Sequence, residues 1–146
     1  MRWPNTLRIS GIEEERGRGR ANLLKGTAML ATQHNPTETI ARLNDRVRQG
    51  LDRTAKVVMT SNLLAHLSDG TGPSRILAQA KVLKALRNCT FSPDSPERDF
   101  ARFEVDGLNV LMKIDYFDLE LEYGSENPAD ASVTCHVLTI MAPEDY

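Results

Sequence analysis

The sequence has few cysteines and no long apolar run. Its two cysteines, Cys89 and Cys135, each stand in an apolar stretch without the spacing of metal ligands or of a redox pair. We therefore expect two reduced, buried thiols that activity does not require. No apolar run approaches the ~20 residues that span a bilayer, and the first residues lack the apolar segment of a signal peptide. These absences predict a cytoplasmic protein without a membrane partner.

Motifs for cofactor binding and for nucleophilic catalysis are also missing. Residues 69–74 include two glycines but lack the GxxxxGK[ST] spacing of a phosphate-binding loop. A Ser-His-Asp site would require Ser125 or Ser132 beside His136, and no other feature supports one. We therefore expect no cofactor and no bound metal, and the sequence favours a protein that is not an enzyme.

Length and charge pattern predict one folded domain preceded by a basic tail. At 146 residues the chain is long enough for a single core without disulfides. Residues 1–34 show no regular apolar spacing, and their Arg-Gly run resists compaction through glycine entropy and like charge. We expect residues 1–34 to be flexible and residues 35–146 to form the domain, with Met29 as an alternative translation start. The candidate phosphate-binding residues of the tail are Arg16, Arg18 and Arg20.

A clear helix start opens the domain. Asn35 can cap the helix, Pro36 suits its first position, and Glu38 can return a hydrogen bond to the cap backbone. Apolar residues at helical spacing then predict a helix to about residue 49, with Gly50 at its end. Residues 56–60 favour a short strand, and residues 61–67 a helical turn or a loop.

A second helix is predicted from about Ser74. Its basic residues Lys81 and Lys84 face solvent and are candidates for a nucleic-acid-binding surface, although an ordinary solvated helix face has the same pattern. The predicted apolar stripe consists of Ile76, Leu77, Ala80, Leu83 and Leu86.

The strongest local signal is a β-hairpin centred on Asp106-Gly107. A type I′ turn needs positive φ at both central residues, which this dipeptide favours. Val105 then pairs with Leu108, and an entirely apolar face results that we expect to cover the helices. Residues 133–141 predict a further strand that is central or covered on both faces. The apolar face of the hairpin carries Phe103, Val105, Leu108, Val110, Met112, Ile114 and Tyr116.

These elements predict an α+β fold. Two or three helices pack on one face of a small antiparallel sheet, and the C-terminal hairpin lies at the centre of that sheet.

Several segments of the C-terminal half together resemble a known family. They are Asp99–Gly107, Lys113–Asp118, Gly124–Asp130 and Val137–Met141, followed by a terminal Glu-Asp-Tyr. Over residues 35–146 the chain resembles a bacterial family classed only as a domain of unknown function and common on plasmids and other mobile elements. The resemblance implies a role in plasmid maintenance, regulation or defence evasion, and it implies no chemistry.

The chain departs from the pattern of that family at one motif. Where the family commonly reads Glu-His-Asp-Phe-Gly, this chain reads Glu97-Arg98-Asp99-Phe100-Ala101. Any role for an imidazole at this place is therefore put in doubt.

One polar cluster is conceivable on the predicted sheet. Carboxylates beside a histidine could bind Mg²⁺ or Mn²⁺ for nuclease or hydrolase chemistry. The same residues also suit a cross-strand charge pair and side-chain caps of turns. The candidate catalytic residues are Asp99, Asp115, Asp118 and His136, with Lys113 nearby.

The charge of the chain is unevenly distributed. Residues 1–90 hold 15 Lys and Arg against 7 Asp and Glu, whereas residues 91–146 hold 3 against 13. Such separation marks an interaction face, unless the two halves neutralise each other by packing together. The candidate partner-binding residues are Asp118, Glu120, Glu122 and Glu126, which as edge charges could equally protect against aggregation.

Three hypotheses of function follow. The leading one is a non-enzymatic interaction or regulatory module of a bacterial mobile element, which docks a protein partner through its acidic C-terminal half. The alternatives are a metal-dependent nuclease or hydrolase that uses the hairpin carboxylates, and a nucleic-acid binder that uses the basic N-terminal surface.

Overall fold

The computed structural model describes residues 35–146. Within them, three α-helices and four β-strands form an α+β fold, as the sequence predicts. No helix in this part of the chain is long and apolar enough to cross a membrane. The elements are α1 (Pro36–Arg48), β1 (Lys56–Met59), α2 (Ser61–Leu67), α3 (Gly72–Arg87), β2 (Phe100–Val105), β3 (Leu108–Phe117), β4 (Cys135–Met141) and a 3₁₀ turn (Pro143–Asp145).

The four strands form one mixed sheet in the order β1-β4-β3-β2. The neighbours β2, β3 and β4 are antiparallel, as expected, but β1 pairs parallel to β4, with Lys56 opposite Val137. The expectation of a purely antiparallel sheet is therefore wrong. A parallel neighbour needs a long crossover, and the whole segment from α2 to β3 separates β1 from β4. The predicted central position of the last strand is confirmed, although this strand begins at Cys135.

The β2–β3 hairpin has the predicted turn and register, but it does not lie at the centre of the sheet as expected, because β2 is an edge strand. Asp106 and Gly107 have φ values of 50° and 81°, which both lie in the left-handed region. Val105 pairs with Leu108, and Phe103 pairs with Val110. The alternation of β3 therefore places Met112 and Ile114 on one face, and Lys113 and Asp115 on the other.

One face of the sheet packs against the helices, and we call it the inner face. Val47 of α1, Leu63 of α2 and Val82 of α3 share a buried core with the inner-face residues of β3 and β4. Those residues include Val110, Met112, Ile114, Leu138 and Ile140, each at most 2% exposed. The predicted apolar face is thus the inner face, although Leu108 at its end is 38% exposed. The opposite, outer face carries the polar side chains of the hairpin.

The sequence predicts the bounds of α1 well, but it predicts the buried side of α3 poorly. Helix α1 begins and ends where expected, and Gly50 follows it with a φ of 75°. In α3, the first half of the predicted stripe is wrong, because Ile76 and Leu77 are 69% and 57% exposed, whereas Leu86 is buried as predicted. The buried residues are Ala78, Val82 and Leu86, of which only Leu86 belongs to the predicted stripe. Apolar residues occur nearly all round this helix, so spacing alone does not select its inner side.

The two cysteines are reduced, as the sequence predicts. Cys135 is buried and Cys89 is partly buried, and both are free thiols. Burial raises the pKa of the Cys89 thiol, which keeps it protonated and weakly reactive. The predicted flexible tail, with Arg16, Arg18 and Arg20, lies outside the described residues.

Candidate functional site

The loop between β3 and β4 is organised by the carboxylate of Asp118. Its two oxygens accept hydrogen bonds from the backbone N–H groups of Glu122 at 2.9 Å and Tyr123 at 3.2 Å. Leu121, inside this turn, has a φ of 62° in the left-handed region. Asp118 therefore holds the backbone of the turn.

The rest of this loop is held by hydroxyl and carboxylate groups. Ser125 Oγ lies 2.6 Å from Thr134 Oγ1, whose hydroxyl donates to the carbonyl of Asn127. The Asp130 carboxylate accepts from the hydroxyl and backbone N–H of Ser132, and these bonds lower the pKa of Asp130 below its usual value. The loop is thus a specified structure, built from local hydrogen bonds.

The loop encloses an open cavity of about 620 Å³ that combines acidic and apolar walls. Leu119, Tyr123 and Val133 contribute apolar surface, although they are 58%, 72% and 46% exposed. Glu122 does not line the cavity, although it follows the same acidic run. The carboxylates that line it are those of Asp118, Glu120, Glu126 and Asp130. We call this site the acidic cavity.

The structure does not bring the candidate catalytic residues together. Asp99 accepts a hydrogen bond from Ser95 Oγ at 2.8 Å, and Asp115 forms a salt bridge with Lys113 at 3.1 Å on the outer face. His136 pairs with Tyr116 and is 1% exposed on the inner face, on the other side of the sheet from Asp115. Among residues 35–146, no group of three or more His, Cys, Asp or Glu side chains is arranged to hold a metal.

A buried polar network under α1 was not anticipated from the sequence. The Asn44 side chain is fully buried, and its Nδ2 donates to the Glu97 carbonyl at 3.0 Å and to the Tyr116 hydroxyl at 2.8 Å. That hydroxyl in turn donates to the Glu97 carboxylate at 3.1 Å. The ring of Tyr116 meets His136 edge-on, with centroids 5.5 Å apart. The sequence shows only a lone asparagine on a helix. The partners of this asparagine are 53 and 72 residues away, so local patterns do not predict the network.

Burial shifts the pKa values of two groups in this network, Tyr116 and His136. It raises the pKa of the Tyr116 hydroxyl, and the nearby Glu97 carboxylate acts in the same direction. It lowers the pKa of His136, against a weaker opposite effect of Asp52. Both groups are therefore neutral near pH 7. The Oδ1 atom of Asn44 and the Nε2 atom of His136 are buried without a hydrogen-bond partner.

Arg98 ties the loop before β2 to α1. Its guanidinium forms a salt bridge with Asp45 at 2.9 Å, and its φ of 57° is unusual for a side chain of this size. Asp45 also binds Arg48 at 2.8 Å, and Arg48 donates to the carbonyl of Arg87 at the end of α3. The cluster therefore connects α1, α3 and the loop before β2.

The candidate basic residues of α3 lie beside the hairpin turn. Lys81 Nζ is 2.8 Å from the Asp106 carboxylate, so this charge is neutralised at least in part. Lys84 lines a small cavity of about 270 Å³ that Glu104 and Asp106 also border. Acidic neighbours thus weaken the positive potential that would attract a phosphate backbone.

Comparison with known proteins identifies a family. A family model described as "Protein of unknown function (DUF3768)" matches residues 59–145, which is more than half of the chain. The chain belongs to the DUF3768 family. The part of the chain that matches the DUF3768 model includes the acidic cavity and strands β2 to β4. Helix α1, which carries Asn44, lies before this part. No curated protein and no solved structure matches the chain.

Proposed function

We propose that this protein is a non-enzymatic docking module that binds a basic segment of a partner protein in the acidic cavity. The observation that carries the proposal is the convergence of four carboxylates and three exposed apolar side chains on one cavity of about 620 Å³. Carboxylates at the rim attract a positively charged partner and fix its register. Exposed leucine and tyrosine side chains supply the apolar contacts that hold it.

The chemistry of the cavity supports a partner that is both basic and apolar. A segment with lysine or arginine side chains would neutralise Glu120 and Glu126, while an adjacent apolar side chain would pack against Leu119 and Tyr123. The hydrogen bonds from Glu122 and Tyr123 to Asp118 hold the loop in place before binding. A preformed loop lowers the ordering cost of association.

A peptide titration tests this proposal. Fluorescence anisotropy of a labelled peptide that combines lysines with leucines should report binding, and a matched glutamate-leucine peptide should not bind. In the double variant Glu120→Lys, Glu126→Lys, the affinity for the basic peptide should fall roughly ten-fold or more, because attraction is replaced by repulsion. The variant should keep its melting temperature, since both side chains are exposed.

Glu122→Lys is the matched control. Glu122 is exposed and belongs to the same acidic run, but it does not line the cavity. The control should therefore weaken binding much less than the double variant does. Equal losses in the two variants would show that overall charge, and not the cavity, attracts the peptide, and that result would refute the proposal.

We place this docking role on a bacterial mobile element. The resemblance to a family common on plasmids supports that setting, where a small module of this kind would serve maintenance, regulation or defence evasion. Affinity capture from the native host, with mass-spectrometric identification, tests it. Recovery of nucleic acid in place of a protein would contradict the docking role.

A further inference from the structure

Strand β2 presents an unpaired edge. It is the last strand in the order β1-β4-β3-β2, so one side of its backbone has no neighbouring strand among residues 35–146. A cavity of about 690 Å³ lies beside Phe100–Arg102, bounded on its other side by residues 90–95. An edge of this kind is a template for pairing with another strand, and proteins usually block it or use it.

The hydrogen-bond pattern shows which backbone groups face outward. Asp99 O accepts from Ile114 N at 2.8 Å, and the two-residue turn brings Val105 opposite Leu108. Bonded pairs alternate along an antiparallel ladder, so odd-numbered residues of β2 bond to β3. The N–H of Phe100 agrees, because it turns away from β3 and donates to Ser95 Oγ. Arg102 and Glu104 therefore direct their N–H and C=O groups to the open edge.

The exposed side chains of this edge are complementary to themselves. Arg102 and Glu104 are both exposed and both project from the outer face, two residues apart. If two copies of β2 pair antiparallel about Phe103, Arg102 of each copy lies opposite Glu104 of the other. Pairing centred on Arg102 or on Glu104 would instead place like charges opposite each other, which is unfavourable. Charge thus favours pairing about Phe103 over these two alternatives.

The inner face of the same edge is compatible with this register. Phe103 is partly buried against the core. In this register it would lie at the two-fold axis of the dimer and meet Phe103 of the second copy. Aromatic side chains directly opposite each other stabilise antiparallel pairs. The backbone contributes bonds from Arg102 and Glu104 of both copies.

We propose that the protein forms a symmetric homodimer in which the two β2 edges pair antiparallel, with Arg102 opposite Glu104 of the second copy. The two four-stranded sheets then become one continuous sheet. A contact between two short strands is small, so the dimer dissociates in the micromolar range or more weakly.

Sedimentation equilibrium of the full chain, from micromolar to millimolar concentration, tests the dimer. Arg102→Glu and Glu104→Arg should each raise the dissociation constant roughly ten-fold, because two attractive cross-strand pairs become repulsive. The double variant Arg102→Glu, Glu104→Arg exchanges the charges, and its dissociation constant should return to near the wild-type value. Recovery in the exchange variant is a result that a loss of folding does not produce.

Glu104→Pro tests the backbone contribution separately. The N–H of Glu104 faces the open edge, so proline removes no bond to β3, and edge strands tolerate it there. This variant should be monomeric with an unchanged circular dichroism spectrum. A wild-type protein that stays monomeric at millimolar concentration would overturn the proposal, and so would a dimer that none of these variants weakens.

Discussion

At the scale of single residues, the most constrained side chain is that of Asn44. It is fully buried and connects α1 to the Glu97 carbonyl and to the Tyr116 hydroxyl. Both contacts are partly buried, so the two acceptors have restricted access to water if this amide is removed. The network fixes the loop before β2 against the inner face of the sheet.

Asn44→Ala should lower the free energy of unfolding by about 2–4 kcal/mol, because it creates a cavity and removes the donor from two partly buried acceptors. Urea denaturation followed by circular dichroism measures this loss. Arg42→Ala, on the exposed side of the same helix, is the control and should change stability by at most about 0.5 kcal/mol. Similar losses in the two variants would show that the network contributes little.

His136 makes stability depend on pH. Burial holds the pKa of His136 below its ordinary value of 6.5, so the unfolded chain binds a proton more readily than the folded one. Stability should therefore be complete above pH 6.5 and decline as the pH falls toward the lower folded pKa. The hydrogen bond from the Thr60 hydroxyl lowers the pKa of Asp145 below 3.8, so this carboxylate affects stability only at more acid pH.

Unfolding titrations between pH 7 and about 4.5 check this behaviour. In His136→Phe, the decline of the unfolding free energy over this range should be smaller than in the wild type. His66→Gln, which alters an exposed histidine 3.3 Å from Glu144, should keep the decline. An identical slope in His136→Phe and the wild type would assign the acid sensitivity to other groups.

At the scale of elements, the β2–β3 hairpin owes its register to its turn. Gly107 has a φ of 81°, and a Cβ atom placed there would meet no neighbour within 4 Å. The cost of a side chain at this position is therefore conformational and not steric.

Gly107→Ala should destabilise the domain by about 1–2 kcal/mol, measured by thermal or urea unfolding. Gly72→Ala is a close control, because Gly72 also has open space around it but lies in the first turn of α3 without a positive φ. That variant should keep or increase stability, because alanine restricts the unfolded chain. A melting temperature that falls equally in both variants would contradict a special role of the turn.

The elements predicted correctly are those whose signals are local. The cap and proline of α1 and the Asp106-Gly107 turn act over a few residues, so their bounds and register follow from the sequence. The parallel pairing of β1 with β4 and the buried side of α3 depend on packing between distant segments. The Asn44 network has the same origin, because its partners Glu97 and Tyr116 come from other elements.

At the scale of the whole molecule, charge separates along the chain. Residues 91–146 hold 13 acidic and 3 basic residues. Part of this charge is used internally, since Asp106 pairs with Lys81 and Asp115 with Lys113. The carboxylates of Glu120 and Glu126 remain at the acidic cavity, where they face solvent. We therefore expect the long-range field of the domain to favour the approach of a basic partner to the β3–β4 loop, as the proposed docking role requires.

The association rate of a partner captured from the host, measured by stopped flow at increasing salt, tests this docking role most directly. Raising the ionic strength from 0.1 M to 1 M shortens the Debye length from ~10 Å to ~3 Å and so removes electrostatic attraction. We expect association with the wild type to slow strongly over this range, and Glu120→Lys, Glu126→Lys to be slow at low salt and close to the wild type at high salt. An association rate that depends neither on salt nor on these two charges would contradict docking in the acidic cavity.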